Sequence, residues 1–448
     1  MSERNRMIDD IPRSRVEEHY ERARRSLAGG VSSSTRLNRA LGHPMYFARA
    51  EGCRVWDLDN RPYYDLCCSH GATLLGHGDP RVKVAVERAL STGAACSYED
   101  ESQAELAELL CQTIPCYERV RFTSSGTEAT MHTIRLARAF TGRSKLLKVE
   151  GNFHGYHDQV MFSIGTPADA LGPETSPAAW PGSTGIAPGL AEQLILVPYN
   201  RPDLLAEAIQ HHAHELAAVI CEPVYYNAGC IVPSAEFLHV MRDQTRRHGV
   251  VLVFDEVLSA FRMGPGGAQE YLGVTPDLCT VGKAVGGGYP LSVFGGRAEI
   301  MGHLMPEGDC QHSGTYNAHP ICVAAALAAV RAYRESGFYE HIGVLAARLS
   351  DGLNRIFRDR GVAGRVQGLG ARFGVYFGID GQPRSYRHVV GHDRQLMLKF
   401  IAAAIDQGVY FHDYGGGACH HGFCSAMTLD EVDEVLDRLD QAVTRLAR

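Results

Sequence analysis

No run of apolar residues in this 448-residue chain approaches the length of a membrane span. Its opening stretch, MSERNRMIDDIPRSRVEEHYERARRS, alternates charges where a secretory leader would need an apolar core. Neither sign of charge is in large excess: a net charge of -7, with Lys and Arg dispersed, gives no pull toward a phosphate backbone, so nucleic acid is not an expected partner. The 13 cysteines include no C-x-x-C pair, only the adjacent Cys67 and Cys68, which argues against a zinc ribbon or a dithiol redox site. Reduced, mostly buried thiols in a cytoplasmic protein are the expectation. His412, Cys419, His420, His421 and Cys424 lack regular zinc-ligand spacing, and His211, His212 and His214 lie in a polar helix without a partner motif, so no metal is expected.

What the chain does carry is an ordinary globular composition, 45% hydrophobic and 21% charged, with enough length for a large core and a second, smaller one. The start, to about Ala28, reads as an amphipathic helix with Val16, Tyr20 and Ala23 on one side, stopped by Gly29-Gly30. MYFARAEGCRVWDLDNRPYYDL then alternates apolar positions around Glu51-Gly52 and Asp59-Asn60, as short antiparallel strands do. From about Pro80 to Pro320, short apolar runs such as LAAVICEPV and VVLVFDEV alternate with amphipathic helices, which predicts a mainly parallel sheet covered on both faces. The Pro-, Gly- and Ser-rich stretch from about Val160 to Leu190 reads as a lid or a disordered insertion. These patterns divide the chain into an N-terminal segment (1–75), a large α/β domain (76–325) and a smaller α/β domain (326–448).

VVLVFDEVLSAFR places Asp255 and Glu256 at the end of a buried strand, and PDLCTVGKAVGGGYP places Lys283 at the end of another. Ligands of open parallel sheets gather at the carboxyl ends of strands, so a carboxylate and an amine can face one small molecule. An aromatic nitrogen base bearing an aldehyde needs that pair: Asp255 keeps a pyridinium protonated, and Lys283 condenses with the aldehyde. A desolvated setting would lower the lysine pKa toward neutrality. Gly286, Gly287 and Gly288 would let backbone approach such a ligand. The plain alternatives are Asp255 as a helix cap and Lys283 as a surface residue. A Walker loop is excluded, because Ala284 follows Gly282-Lys283 and the upstream glycine spacing is missing. In RFTSSGTEATMHTIRLARAF, a strand ends and Ser125, Gly126 and Thr127 open a helix, whose free N–H groups form an anion site fit for a phosphate. An ordinary capping box is the alternative there.

Taken in order, SSGTEAT, FHGYHD, CEPV, FDEVLSAFR, PDLCTVGKAVGGGYP and HSGTYNAHP resemble the class III aminotransferases, within the fold type I enzymes that use pyridoxal 5'-phosphate (PLP). GGVSSSTR and EATMHTIRLARAFTGRSKLLKVEG are similar to the glutamate-1-semialdehyde aminomutase-like subgroup. The resemblance runs from Gly29 over nearly the whole chain. It implies a seven-stranded-type, mainly parallel sheet and a homodimer. Lys283 would hold PLP as an internal aldimine, Asp255 would pair with the ring nitrogen, and Phe153 would stack on the ring. Gly126 and Thr127 would bind the phosphate, with Thr315 from the neighbouring subunit. Asn227 would lie near the phenolic oxygen, with Glu222 a polar neighbour, and His154 and Val257 complete the cofactor set.

On the substrate side, Arg36 matches the position that grips a carboxylate, a task suited to the planar guanidinium. His70, Tyr225, Tyr226 and Tyr316 are candidate walls. Here the chain departs from the mutases: His70 stands where they generally have Trp, HSGTYNAHP replaces AGTLSGNP, and ACHHGFCSAM lacks the acidic residue and terminal His. An intact coenzyme shell with an altered substrate shell predicts an aminotransferase moving an amino group from a carboxylated amine or amino acid, β-amino and aromatic ones among the candidates, to a keto acid. Glutamate-1-semialdehyde 2,1-aminomutase is the alternative, and a non-catalytic PLP-fold binding protein is a third reading.

Overall fold

Uninterrupted apolar runs become strands buried on both faces. Leu216–Cys221 and Val251–Glu256 are buried along their whole length in the computed structural model, which describes residues 14–93 and 95–446. They are the centre of a seven-stranded sheet ordered Arg119–Thr123, Ser292–Gly296, Leu278–Val281, Val251–Glu256, Leu216–Cys221, Lys145–Val149 and Leu194–Val197. Ser292–Gly296 runs antiparallel to both its neighbours, and every other pairing is parallel. Alternate residues feed two cores: Val251 and Val253 pack with Ile134 and Ala137 of the helix Gly126–Thr141, while Leu252 and Phe254 share a core with Phe237 and Met241 of Ala235–His248. At about 1.5–3 kcal/mol for each large apolar side chain, this burial dominates what holds the sheet. The register sets Asp255 opposite Thr280, three residues before Lys283.

The terminal segments meet. Phe47–Glu51, Arg54–Asp57 and Pro62–Asp65 form the expected antiparallel meander, and Val409–Tyr410 joins its edge in parallel. The N-terminal segment and the small domain, read from the sequence as separate units, therefore share a sheet. A second small sheet holds Gly364–Leu369, Arg372–Phe377 and His420–Gly422, and the chain closes with the helix Leu429–Leu446. The first helix is shorter than its pattern suggested: a capping box of Ser14 and Glu17 starts Arg15–Ala23, and the chain turns before the Ala28–Gly30 coil. Residues 1–13, where the sequence was read for a leader, lie outside the described residues. No helix among the described residues is long and apolar enough to cross a membrane.

The stretch from Val160 to Leu190 is an ordered loop, not a disordered insertion. Phe162 bridges Pro181, Ser163 N–H donates to Trp180 O at 2.7 Å, and Val160 and Phe162 are buried. Arg387 of the small domain ties it down with a two-pronged pair to buried Glu150, at 2.8 Å to each oxygen, and a bond to the Gly172 carbonyl. The Gly415–Gly417 turn is held by Gly416 N–H on Asp413 and by His392 on the Gly416 carbonyl.

Removing one partner of a largely desolvated ion pair leaves a buried charge uncompensated. Arg387→Met is expected to destabilise the protein by about 3 kcal/mol, seen as a lower urea midpoint, with early proteolytic cutting between Val160 and Leu190. Equal midpoints would show that the loop is held by its own packing.

Candidate active site

At the carboxyl ends of the central strands lies a cavity of about 250 Å³. Asp255 and Lys283 both line it, with Glu222, Asn227, Phe153 and His154 around them. Gly126, Thr127 and Val257 complete the wall where the helix Gly126–Thr141 begins.

Asp255 is fixed by three donors. Its Oδ1 accepts from Val257 N–H and Thr280 Oγ1, both at 3.1 Å, and its Oδ2 lies 2.7 Å from His154 Nδ1. Burial holds the His154 pKa below its ordinary value, with Asp255 opposing, so the ring is neutral and Nδ1–H donates to the carboxylate. His154 Nε2 is buried without a partner.

Lys283 follows the strand Leu278–Val281 with φ of +49°, a left-handed conformation that costs a side-chain-bearing residue of order 1–3 kcal/mol. Burial lowers its pKa to about 8, against the pull of Asp255. The amine is therefore able to give up its proton near neutrality. The other buried lysine, Lys148, donates to the Val149 carbonyl at 3.4 Å and does not line the cavity. The glycines after Lys283 serve packing and do not reach the cavity: a Cβ on Gly287 would meet Ala329 Cβ at 3.1 Å and Ala325 O at 3.2 Å on the helix Pro320–Tyr333.

Ser125 acts as a helix cap, the alternative left open by the sequence. Its Oγ accepts from Glu128 N–H at 3.2 Å and donates to the Glu128 carboxylate at 3.0 Å, which leaves Gly126 and Thr127 to present the helix N-terminus to the cavity. Gly155, at φ of +102°, permits the close approach of the FHG turn, since a Cβ there would stand 2.7 Å from Thr127 Oγ1. Glu222 braces two cavity residues at once, accepting from Phe153 N–H at 2.8 Å and from Asn227 Nδ2 at 2.9 Å. Burial, then Asp255, pushes its pKa up to about 8. Val224, Leu258, Ser259 and Ser292 also line the cavity and were missed. Val224 lies inside CEPV and Leu258 and Ser259 inside FDEVLSAFR, but polarity alone does not mark any of the four.

The substrate candidates divide. Arg36 and His70 face a neighbouring cleft of about 360 Å³, and the turn carrying His70 packs on Leu258, since a Cβ on Gly71 would meet Leu258 at 3.2 Å. Cys68, Ser69 and His70 all have positive φ, an unusual run that aims His70 into the cleft. His70 Nδ1 lies 2.8 Å from Tyr414 Oη, and burial, then His412 and Lys283, drives its pKa down to about 3. Tyr225 and Tyr226 are not walls: Tyr225 packs on Tyr199, and Tyr226 Oη donates to the Leu369 carbonyl, because the Tyr226–Ala228 turn directs both into the core. Thr315 and Tyr316 are exposed and do not line their own chain's cavity.

The class III aminotransferase family model matches residues 38–443. The chain belongs to that family. Its coenzyme is PLP and its architecture is fold type I. A glutamate-1-semialdehyde 2,1-aminomutase of Bordetella avium (strain 197N) is 40% identical over 435 residues, 97% of this chain and 99% of its own. An omega-transaminase from Sphaerobacter thermophilus is similar with a TM-score of 0.90 at 34% identity, covering 98% of each chain. A beta-phenylalanine aminotransferase from Variovorax paradoxus matches with a TM-score of 0.83 at 28% identity, over 99% of this chain and 95% of its own. The cavity of this class III chain fits PLP on its own chemistry: a helix N-terminus for the phosphate, a carboxylate for the ring nitrogen and one buried amine for the aldehyde.

Two outcomes follow. In the coenzyme-free protein, modification of Lys283 by a small amine-selective reagent should rise through about pH 8, where an ordinary lysine needs pH above 10. Gly155→Ala should weaken PLP binding at least tenfold in a fluorescence titration, because the methyl displaces Thr127. Unchanged binding would separate Thr127 from the phosphate.

Proposed function

We propose that this class III enzyme is an aminotransferase that takes its amino group from a carboxylated amine or amino acid, of the β-amino or aromatic class, and passes it to a keto acid. The observation that carries the reading is the contrast between the two halves of the site. One half holds the coenzyme groups on rigid strand ends, and the other offers Arg36 beside a neutral imidazole, His70, in a separate cleft.

Bound PLP supplies an electron sink for the charge left when a proton leaves the substrate carbon. Asp255 holds a proton at the ring nitrogen, and its three donors keep it an oriented carboxylate. Lys283 Nζ, desolvated and near neutrality, takes a proton from the amine-bearing carbon of the substrate and would deliver it to the aldehyde-derived carbon of the coenzyme, so that hydrolysis leaves the amino group with the coenzyme and a carbonyl on the substrate. Phe153 covers a ring face, its backbone fixed by Glu222. Arg36 Nη1 donates to exposed Ser32 Oγ at 3.1 Å, which leaves the rest of its guanidinium fork available to a substrate carboxylate. Thr315 serves the phosphate site of a second copy, in a homodimer.

The aminomutase reading has one specific observation behind it, the 40% identity to the Bordetella avium protein. It requires the amino group to return to the same carbon skeleton, with no keto acid consumed.

The test is a half-reaction screen of α-amino, β-amino and aromatic amino acids against the PLP-loaded enzyme. Conversion of the coenzyme to its amine form, reversed by a keto acid, is expected for a carboxylated donor. Arg36→Ala should raise KM for that donor at least tenfold, about 1.4 kcal/mol, and leave an amine without a carboxylate little affected. Production of 5-aminolevulinate from glutamate 1-semialdehyde with no exchange against any keto acid would overturn the proposal in favour of the mutase.

A further inference from the structure

Two residues three positions apart meet a third from near the other end of the chain in the cleft beside the coenzyme cavity. One donor atom from each of Cys67, His70 and His412 lies within 4.8 Å of the others. Each imidazole has one nitrogen anchored by a tyrosine: His70 Nδ1 to Tyr414 Oη at 2.8 Å, and His412 Nδ1 to Tyr410 Oη at 3.2 Å. With Nδ1–H donating to the tyrosine oxygen, the Nε2 lone pair of each ring is left free. His412 is 2% exposed, and its Nε2 has no hydrogen-bond partner. An outer hydrogen bond that fixes the ring and frees the opposite nitrogen is the arrangement by which proteins orient metal-binding histidines.

The geometry points to a zinc-class divalent ion held by the Cys67 thiolate and the imidazoles of His70 and His412, with a fourth position open to water or ligand. Thiolate and imidazole together suit Zn²⁺, whose bonds of about 2.0–2.3 Å set tetrahedral donors roughly 3.5 Å apart. Side-chain rotations that draw the donors together by about 1 Å suffice to reach that spacing. Asp65 lines the same cleft, its Oδ1 accepting from the backbone N–H groups of Cys67 and Cys68 and its Oδ2 lying 2.8 Å from His77 Nε2, and Cys67 would give up its thiol proton on binding the ion, so that thiolate and carboxylate together offset the charge. Arg36, Arg372 and Lys283 are the opposing cations near His70.

Bound there, the ion would take His70 away from the cleft that the proposed function assigns to the substrate, and this consequence rests on that reading. The experiment uses the PLP-loaded enzyme, stripped with a chelator and titrated with Co²⁺ and then Zn²⁺. One ion per chain is expected, with the intense visible ligand-field bands of four-coordinate cobalt. Cys67→Ser and His412→Gln should each weaken binding at least tenfold, while Cys424→Ser, outside the cluster, leaves it unchanged. Absence of the cobalt bands, or equal affinity in the Cys67 and His412 variants with native circular dichroism, would overturn the site. Zn²⁺ is further expected to raise KM for the amino donor without lowering kcat. If the ion binds as described but KM stays fixed, the metal site stands and the substrate assignment of the cleft fails.

Discussion

A carboxylate and an amine, Asp255 and Lys283, are taken out of water on neighbouring strands and turned toward one cavity. Burial by itself would discharge both groups. Val257, Thr280 and His154 spend their donors on the Asp255 carboxylate, whereas Lys283 has no comparable set and burial lowers its pKa to about 8. The asymmetry gives one carboxylate fixed by hydrogen bonds and one amine that gains and loses a proton near neutrality. Much of the surrounding structure serves it: the register that puts Asp255 beside Thr280, the left-handed backbone at Lys283, and the neutral His154 wedged beneath.

The two sides of the site come from different parts of the chain. Groups that meet the coenzyme sit on strand ends and a helix start of the large sheet, where main-chain hydrogen bonding leaves little freedom. The neighbouring cleft is assembled from the N-terminal segment, through Arg36 and His70, and from the small domain, through Tyr410, His412 and Tyr414. The sheet that joins Pro62–Asp65 to Val409–Tyr410 keeps those two parts in register. Such a division lets substrate choice change while the coenzyme chemistry stays fixed, which suits a family whose members carry names as different as aminomutase and omega-transaminase.

The sheet was legible in the sequence because its strands are continuous apolar runs between amphipathic helices, and the coenzyme pair because Asp255 and Lys283 close two such runs. Side-chain direction was not legible. Tyr225 and Tyr226 follow a strand end as Asn227 does, yet a tight turn sends both rings into the core while Asn227 reaches Glu222. Ser125, Gly126 and Thr127 read as one phosphate loop, but the Ser125 hydroxyl is consumed by its own helix. The Val160–Leu190 stretch looked loose because its anchors, Glu150 and Arg387, lie outside it. Spacing rules for metal ligands operate along the chain, so they were blind to Cys67 and His70 meeting His412 across more than 300 residues.

The most direct measurement reduces the PLP-loaded protein with borohydride and maps the pyridoxyl group by mass spectrometry of the digest. The account predicts a single label, on Lys283, and none in the Lys283→Ala variant. A label on Lys148, the other buried lysine, or on surface lysines alone would contradict it.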